Sequence, residues 1–345
     1  MPEAETRNPV LVARQRAGFV ERVHHGRVAI VDGRSPEGAL AAALGDVGSA
    51  FLPRSSCKIL QALPMVESGA ADAAKLSPRH LALSCASHQG SDAHATFAGE
   101  WLREMGFSET DLMCGAQESG DAATRERMIR AGEAPSQLHN NCSGKHSGFL
   151  CQAKHLRASA ENYVSPDHPV QKAVAAATAE LAGEEIAGHA IDGCSAPNFA
   201  LSLTGLARAA ARIAAAETAL AGVRLDAAIR LRSAMAAHPF EVAGEGRCCT
   251  GLMRAGEGRF AVKTGAEGAF IAILPEMGLG VALKIDDGNT PAAECAMTGI
   301  LVALGALDAG DERIACWLTP REVNRRGLVC GGGALSQAIT GLRLS

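Results

Sequence analysis

Ser55 and Lys58 stand three residues apart in "RSSCKILQAL" (54–63), where the chain runs into an apolar helical pattern. On a helix, residues at that spacing share a face, so the hydroxyl and the amine can meet. A serine attacks an acyl carbon only when a base takes its proton, and a lysine serves as that base only once neutral. Deprotonating a lysine at pH 7 costs about 4.6 kcal/mol, which burial and a second nearby cation offset by lowering the pKa. The plainer reading is a helix-capping Ser55 followed by a solvated Lys58. A chance SxxK is expected roughly 0.4 times in a chain with this many serines and lysines, so the pair is weak by itself.

Lys263-Thr264-Gly265, in "AVKTGAEGAF" (261–270), strengthens the chemical reading, since a chance KTG is expected only about 0.03 times. SxxK on a helix with KTG on a late strand is the paired signature of serine beta-lactamases and penicillin-binding proteins. Lys263 then supplies the cation that keeps Lys58 neutral. The SDN element of those enzymes is missing; "GSDAH" (90–94) has alanine in place of the asparagine. A second hydroxyl, Ser87 in "LALSCASHQGSDAH" (81–94), is expected with His88 at the end of a short apolar element, where reactive groups are often exposed, and is placed to pair with Lys263. Its plainer reading is a turn serine that satisfies local backbone.

Cys142 and Lys145 in "LHNNCSGKHSGF" (138–149) are again three apart, flanked by His139 and His146, and Cys194 follows Asp192 in "IDGCSAPNF" (191–199). Two thiolates with nitrogen or oxygen partners suit zinc. Lysine is an unusual ligand because it must first lose its proton, a cost that structural zinc binding, about 10–16 kcal/mol in peptides, exceeds. The competing reading is a pair of buried apolar cysteines. No phosphate loop, GxGxxG, HExxH or GxSxG element occurs, which leaves nucleotide binding, zinc proteolysis of the usual kind and the hydrolase elbow without support.

The elements that must hold these groups come from both ends of the chain. Residues 10–32 are valine-rich and break at glycine, predicting an antiparallel pair of strands, and 259–288 give three apolar runs cut by "TGAEG" and "PEMGLG", a meander. Between them the pattern is helical, as at 168–183 and 202–222, and 291–307 predicts a helix covering one sheet face. The expected fold is therefore α/β (α+β), one catalytic unit over 1–345 with a discontinuous antiparallel sheet part at about 8–50 and 245–345 and a helical part at about 51–244. With 47% hydrophobic but 3% aromatic residues, the core is filled by aliphatic side chains and alanine. A net charge of −4 without a clustered basic face argues against nucleic acid. Eleven cysteines at scattered spacings fit a reduced, cytoplasmic interior. The acidic N-terminus is unlike a signal peptide, and the most apolar stretch, 300–307, is too short to cross a membrane.

Taken together, "PRSSCKILQALP", "LALSCASHQGSDAH", "HNNCSGKHSGFL", "IDGCSAPNF" and "KTGAEG" resemble, in order from about 9 to 340, the asparaginase family typified by the rhizobial inducible and constitutive enzymes. The resemblance implies a serine beta-lactamase-like fold, hydrolysis of L-asparagine to L-aspartate and ammonia, and a homodimer. It implies Ser55–Lys58 and Ser87–Lys263 pairs, with Ser55 favoured as the acylated residue. Zinc would be held by Cys142, Lys145 and Cys194, and Arg54, His88 and Asp192 would position the substrate. A glutaminase, or a beta-lactam or peptide hydrolase using the same SxxK and KTG groups, is the alternative.

Overall fold

The computed structural model describes residues 8–35 and 37–344; residues 1–7, on which the absence of a signal peptide was argued, lie outside them. Among the described residues, eleven strands are formed: β1 (Val10–Arg16), β2 (Phe19–Asp32), β3 (Ala39–Leu44), β4 (Ala50–Phe51), β5 (Gly188–Ile191), β6 (Pro197–Ser202), β7 (Ala261–Thr264), β8 (Ala269–Leu274), β9 (Leu279–Ile285), β10 (Arg321–Val323) and β11 (Val329–Leu335). The main sheet runs β10-β11-β1-β2-β9-β8-β7, with β3 also on β2, and every pairing in it is antiparallel. The two ends of the chain thus share one sheet, as their valine-rich runs imply, and the join is β2 against β9, from Gly26↔Ile285 to Asp32↔Leu279.

Every residue of β8 is buried, which requires cover on both faces. Helices Leu203–Ala214 and Thr290–Ala303 both pack on β8 and β9. The first lies so close that a Cβ on Gly280 would come within 2.3 Å of the Ala207 carbonyl oxygen. Alanine on the helix and glycine on the strand permit that approach, which accounts for a core with so few aromatics. Ser202 and Asn289 cap these helices, each accepting a bond from an N–H in the first turn.

The middle of the chain is largely helical but also carries a three-stranded sheet, β4-β6-β5, that the helical periodicity did not announce. The expected single helix over 202–222 is likewise broken: it ends at Ala214, and Gly222, at φ +59°, turns the chain into a separate helix, Gly222–Ala237. All eleven cysteines are free, nine of them buried. Among the described residues, no helix is long and apolar enough to cross a membrane.

One contact ties the sheet to the helical part where the chemistry is expected. Just beyond β7, a Cβ on Gly265 would come within 2.8 Å of the Pro53 carbonyl oxygen and 2.9 Å of the Ser56 nitrogen, so the end of the KTG strand presses on the turn that carries Ser55. Gly265→Ala is expected to push the two apart, costing about 1–3 kcal/mol of stability and lowering turnover. Thermal unfolding and kcat/KM measure this; a variant unchanged in both would contradict the contact's importance.

Candidate active site

The turn carrying Ser55 is a 3-10 helix, Arg54–Cys57, leading into the helix Lys58–Glu67. Arg54 has φ +52°, a left-handed conformation that costs a side-chain-bearing residue about 1–2 kcal/mol. Its own contacts hold it there. The Arg54 N–H donates to Asn198 Oδ1 at 3.1 Å, and its guanidinium grips Asp192 Oδ1 from Nε at 3.0 Å and Nη2 at 2.8 Å. Ser56 Oγ and Cys57 Sγ bond back to Pro53 and Arg54 carbonyls, at 2.7 Å and 3.1 Å. The half-buried Ser55 hydroxyl, by contrast, makes no hydrogen bond among the described residues. Ser55 is therefore no helix cap.

Lys58 lies behind that turn, 1% exposed. Its amine donates to the carbonyl of Ala86, to Cys142 Sγ at 3.1 Å and to the Asn141 carbonyl at 3.4 Å, and not to Ser55. Its three donors go to these acceptors, so the expected Lys58–Ser55 bond is not the arrangement found. Lys263 takes the opposite condition. It is also 1% exposed, with a single bond, to the Thr264 carbonyl at 2.6 Å. Burial, with the positive charges of Lys58 and Arg247 and against the opposing pull of the Cys249 and Cys142 thiols, pushes its pKa down to about 7. The sequence contexts suggested Lys58 as the neutral amine, whereas Lys263 is the one whose pKa is lowered here, with Lys58 among the charges that lower it.

Ser87 follows the helix Pro78–Ser84 and is anchored by its N–H to the Val242 carbonyl at 2.9 Å. Its Oγ is buried and bonds to nothing among the described residues, so the expected Ser87–Lys263 pair is not joined by a hydrogen bond. Both lysines act on the thiol of Cys85, two residues before Ser87, which places the amines around the end of that helix. Cys249 joins Lys263 to the rest by accepting the Thr264 N–H at 3.2 Å.

His88 departs from the substrate-contacting role. Its Nδ1 accepts the Gly90 N–H at 3.1 Å, leaving Nε2–H to donate to Ser143 Oγ at 3.0 Å, and its ring stacks on His94. Both nitrogens are spent on the protein, and the ring is buried, so His88 fastens the Ser87 loop to the start of the helix Ser143–His155. Gly90, at φ +65°, completes the junction, because a Cβ there would meet the His139 carbonyl oxygen at 2.2 Å.

Cys142 precedes that helix and Lys145 sits in its first turn, one face apart by three residues as expected. Cys194 arrives on the tight turn between β5 and β6, closed by Ser195 N–H to the Asp192 carbonyl at 2.8 Å. Lys145 Nζ contacts Cys194 Sγ at 3.0 Å. Hydrogen bonding from Cys142, aided by Lys145, holds the Cys194 thiol far below its usual range, and the same interaction, with burial, pushes Cys142 up. Burial alone would lower Lys145, but the Cys194 and Cys142 sulfurs outweigh it and raise its pKa. Two sulfurs and an amine converging in one buried spot fit a tetrahedral, borderline-soft cation such as zinc. No group of three or more His, Cys, Asp or Glu suited to a metal occurs among the described residues.

Sequence reading did not single out Asn198, Arg247, Cys249 or Tyr163. Asn198 lies within the quoted "IDGCSAPNF", and Tyr163 is the chain's one tyrosine, fully buried, an unusual placement for a phenol and a usable signal.

The family model described as L-asparaginase II matches residues 12–334. No curated protein matches the chain. Among solved structures, the native form of Mglu is similar at TM-score 0.46 and 13% identity, over 83% of this chain and 66% of that one. A beta-lactamase from Mycobacterium bovis is similar at TM-score 0.44 and 12% identity, over 82% of this chain and 95% of that one. A beta-lactamase described as putative, from Bacteroides dorei DSM 17855, follows at TM-score 0.39 and 10% identity, over 80% and 93%. This chain spans slightly under two thirds of the length of native Mglu.

Lys263 generates a prediction in pH. Because its folded pKa, about 7, lies below that of a lysine in the unfolded chain, the unfolded state binds more protons between the two values. The stability penalty is therefore full below pH 7 and fades as pH rises toward the unfolded pKa. Lys263→Met should raise the melting temperature at pH 6 by more than at pH 10, the relief being of order 5 kcal/mol below pH 7. In the unmodified protein, kcat/KM should climb with pH and level off above about 7. A pH-independent rate between 5.5 and 8.5 would contradict the assignment.

Proposed function

The chain belongs to the L-asparaginase II family, a family of amide-hydrolysing enzymes, and on that premise we propose that it hydrolyses L-asparagine to L-aspartate and ammonia with Ser55 as nucleophile. The observations that support this reading are an unbonded Ser55 hydroxyl and a buried Lys263 amine of pKa about 7, carried on two segments that meet where Gly265 presses on the Ser55 turn. Ser55 Oγ attacks the side-chain carboxamide carbon while neutral Lys263 takes its proton, and the Ser55 N–H, which bonds no carbonyl in the turn, is available to the developing oxyanion. When the tetrahedral intermediate collapses, the proton returns from Lys263 to the nitrogen and ammonia leaves. Water then attacks the acyl ester, again giving its proton to Lys263, and Ser55 departs with a proton as aspartate is released. The unpartnered Ser87 hydroxyl is suited to relay that proton.

Cys142, Lys145 and Cys194 would hold zinc, and with zinc bound the site would carry a fixed positive charge for orienting the charged ends of an amino-acid substrate. Arg54 and Asp192, locked together at 2.8 Å, position the nucleophile turn from the side of that cluster. A homodimer is part of the same proposal. Exposed Phe19, Val20, Val323, Leu328 and Val329 lie toward one side of the main sheet, and a second copy would cover them.

Ammonia release from asparagine, glutamine and a chromogenic beta-lactam's hydrolysis, measured side by side, test the substrate. Asparagine is expected to dominate; faster turnover of either rival would replace the reading. Ser55→Ala should lose at least about 10³-fold in kcat, and Ser87→Ala about 10²-fold. A covalent adduct trapped on Ser87 and absent from Ser55 would reverse their roles. Removing zinc should raise KM; unchanged KM and kcat in metal-free protein would end the metal's proposed part.

A further inference from the structure

His146 follows Lys145 in the helix Ser143–His155 and is fully buried. Its Nδ1 lies 2.8 Å from the Tyr163 hydroxyl, which is buried as well. That hydroxyl already accepts the Met113 N–H at 2.8 Å. A backbone N–H can only donate, and among the described residues the phenol's own hydrogen has one acceptor within reach, His146 Nδ1. The chain Met113 N–H to Tyr163 O–H to His146 Nδ1 therefore fixes the tautomer and puts the ring proton on Nε2.

His146 Nε2 in turn has no partner with hydrogen-bond geometry, although it is buried. A buried N–H left unpaired costs about 1–3 kcal/mol, so something is expected to receive it. Lys145, the residue before His146, contacts Cys194 Sγ at 3.0 Å, which brings that sulfur to the end of the helix that carries the ring. Because Nε2 carries the proton, it has no lone pair for a metal and cannot be a ligand in this tautomer. A metal-bound thiolate, however, is an acceptor for such a donor, and donors of this kind orient ligands and tune the affinity of metal sites.

We infer that His146 is a positioning residue whose Nε2–H, set by Tyr163, holds the Cys194 sulfur in place for a zinc ion bound by Cys142, Lys145 and Cys194, and is not itself a ligand. The inference rests on the zinc reading given above and adds to it the residues that keep one thiolate aimed.

Zinc affinity of the full-length protein, read by competition with a chromogenic chelator, tests this without reference to turnover. His146→Leu is expected to weaken zinc about 10–100-fold. His146→Gln, whose amide N–H reaches to where Nε2 stands, should recover most of that loss. Tyr163→Phe keeps the aromatic ring but frees the tautomer, and should weaken zinc several-fold while leaving His146 in place. Cobalt substitution adds a second readout: the sulfur-to-metal band of His146→Gln should match that of the parent protein, since the ligand set is unchanged. Undiminished affinity in both His146→Leu and Tyr163→Phe would overturn the proposal, as would a shifted cobalt spectrum in His146→Gln, which would make the ring a ligand. A parent protein that binds no zinc would sink the metal reading and this inference together, whereas normal binding in all variants sinks only the inference.

Discussion

Three of the chain's seven lysines, Lys58, Lys145 and Lys263, are buried to within 2% of complete in one region, and the site is organised around what a low-dielectric interior does with three amines. Each is accommodated differently. Lys58 is surrounded by two carbonyls and a sulfur, Lys145 is matched by the Cys194 sulfur, and Lys263, with one acceptor, is pushed toward neutrality. Burial makes the Lys263 ammonium costly, and the nearby positive charges of Lys58 and Arg247 add to that cost. A proton acceptor at pH 7 is thus a consequence of crowding, obtained at the expense of stability as functional sites often are.

That crowding depends on close approach between segments distant in sequence. The Ser55 turn, the loop after Ser87, the start of the Ser143–His155 helix, the Asp192–Ala196 turn and the end of β7 meet through positions where a side chain would not fit. Gly265 against Pro53, Gly90 against His139 and Gly144, whose Cβ would fall 2.4 Å from the Leu83 carbonyl oxygen, are three such points. The rigid support is the sheet, in which both ends of the chain pair across β2 and β9. Arg54 in its left-handed conformation is the one evident strain in the nucleophile turn, and Asp192 and Asn198 hold it from the small second sheet.

Much of this was legible in the sequence. The β1–β2 pair, the β7–β9 meander and the discontinuous sheet follow from apolar runs punctuated by glycine, and the spacing of Cys142 and Lys145 placed them on one helical face. What escaped was settled by tertiary packing. The β4-β6-β5 sheet is built from strands too short to show a period, and the 202–222 helix breaks at a reversal that alanine content conceals. Protonation roles were the least legible, since motif spacing places Ser55 near Lys58 but cannot tell which lysine has acceptors around it. His88 illustrates the same limit: the family resemblance implied contact with substrate, and only the Gly90 and Ser143 bonds reveal a structural use.

The central claim is that Lys263 is a neutral amine near pH 7 because it is buried beside the Lys58 charge. Its most direct test is a nuclear magnetic resonance titration of the protein labelled at the lysine ε-carbons, with the Lys263 signal assigned by its loss in Lys263→Met. The account predicts a midpoint near 7, moving upward when Lys58 is replaced by methionine. A midpoint at the usual value for a solvated lysine, indifferent to Lys58, would contradict it.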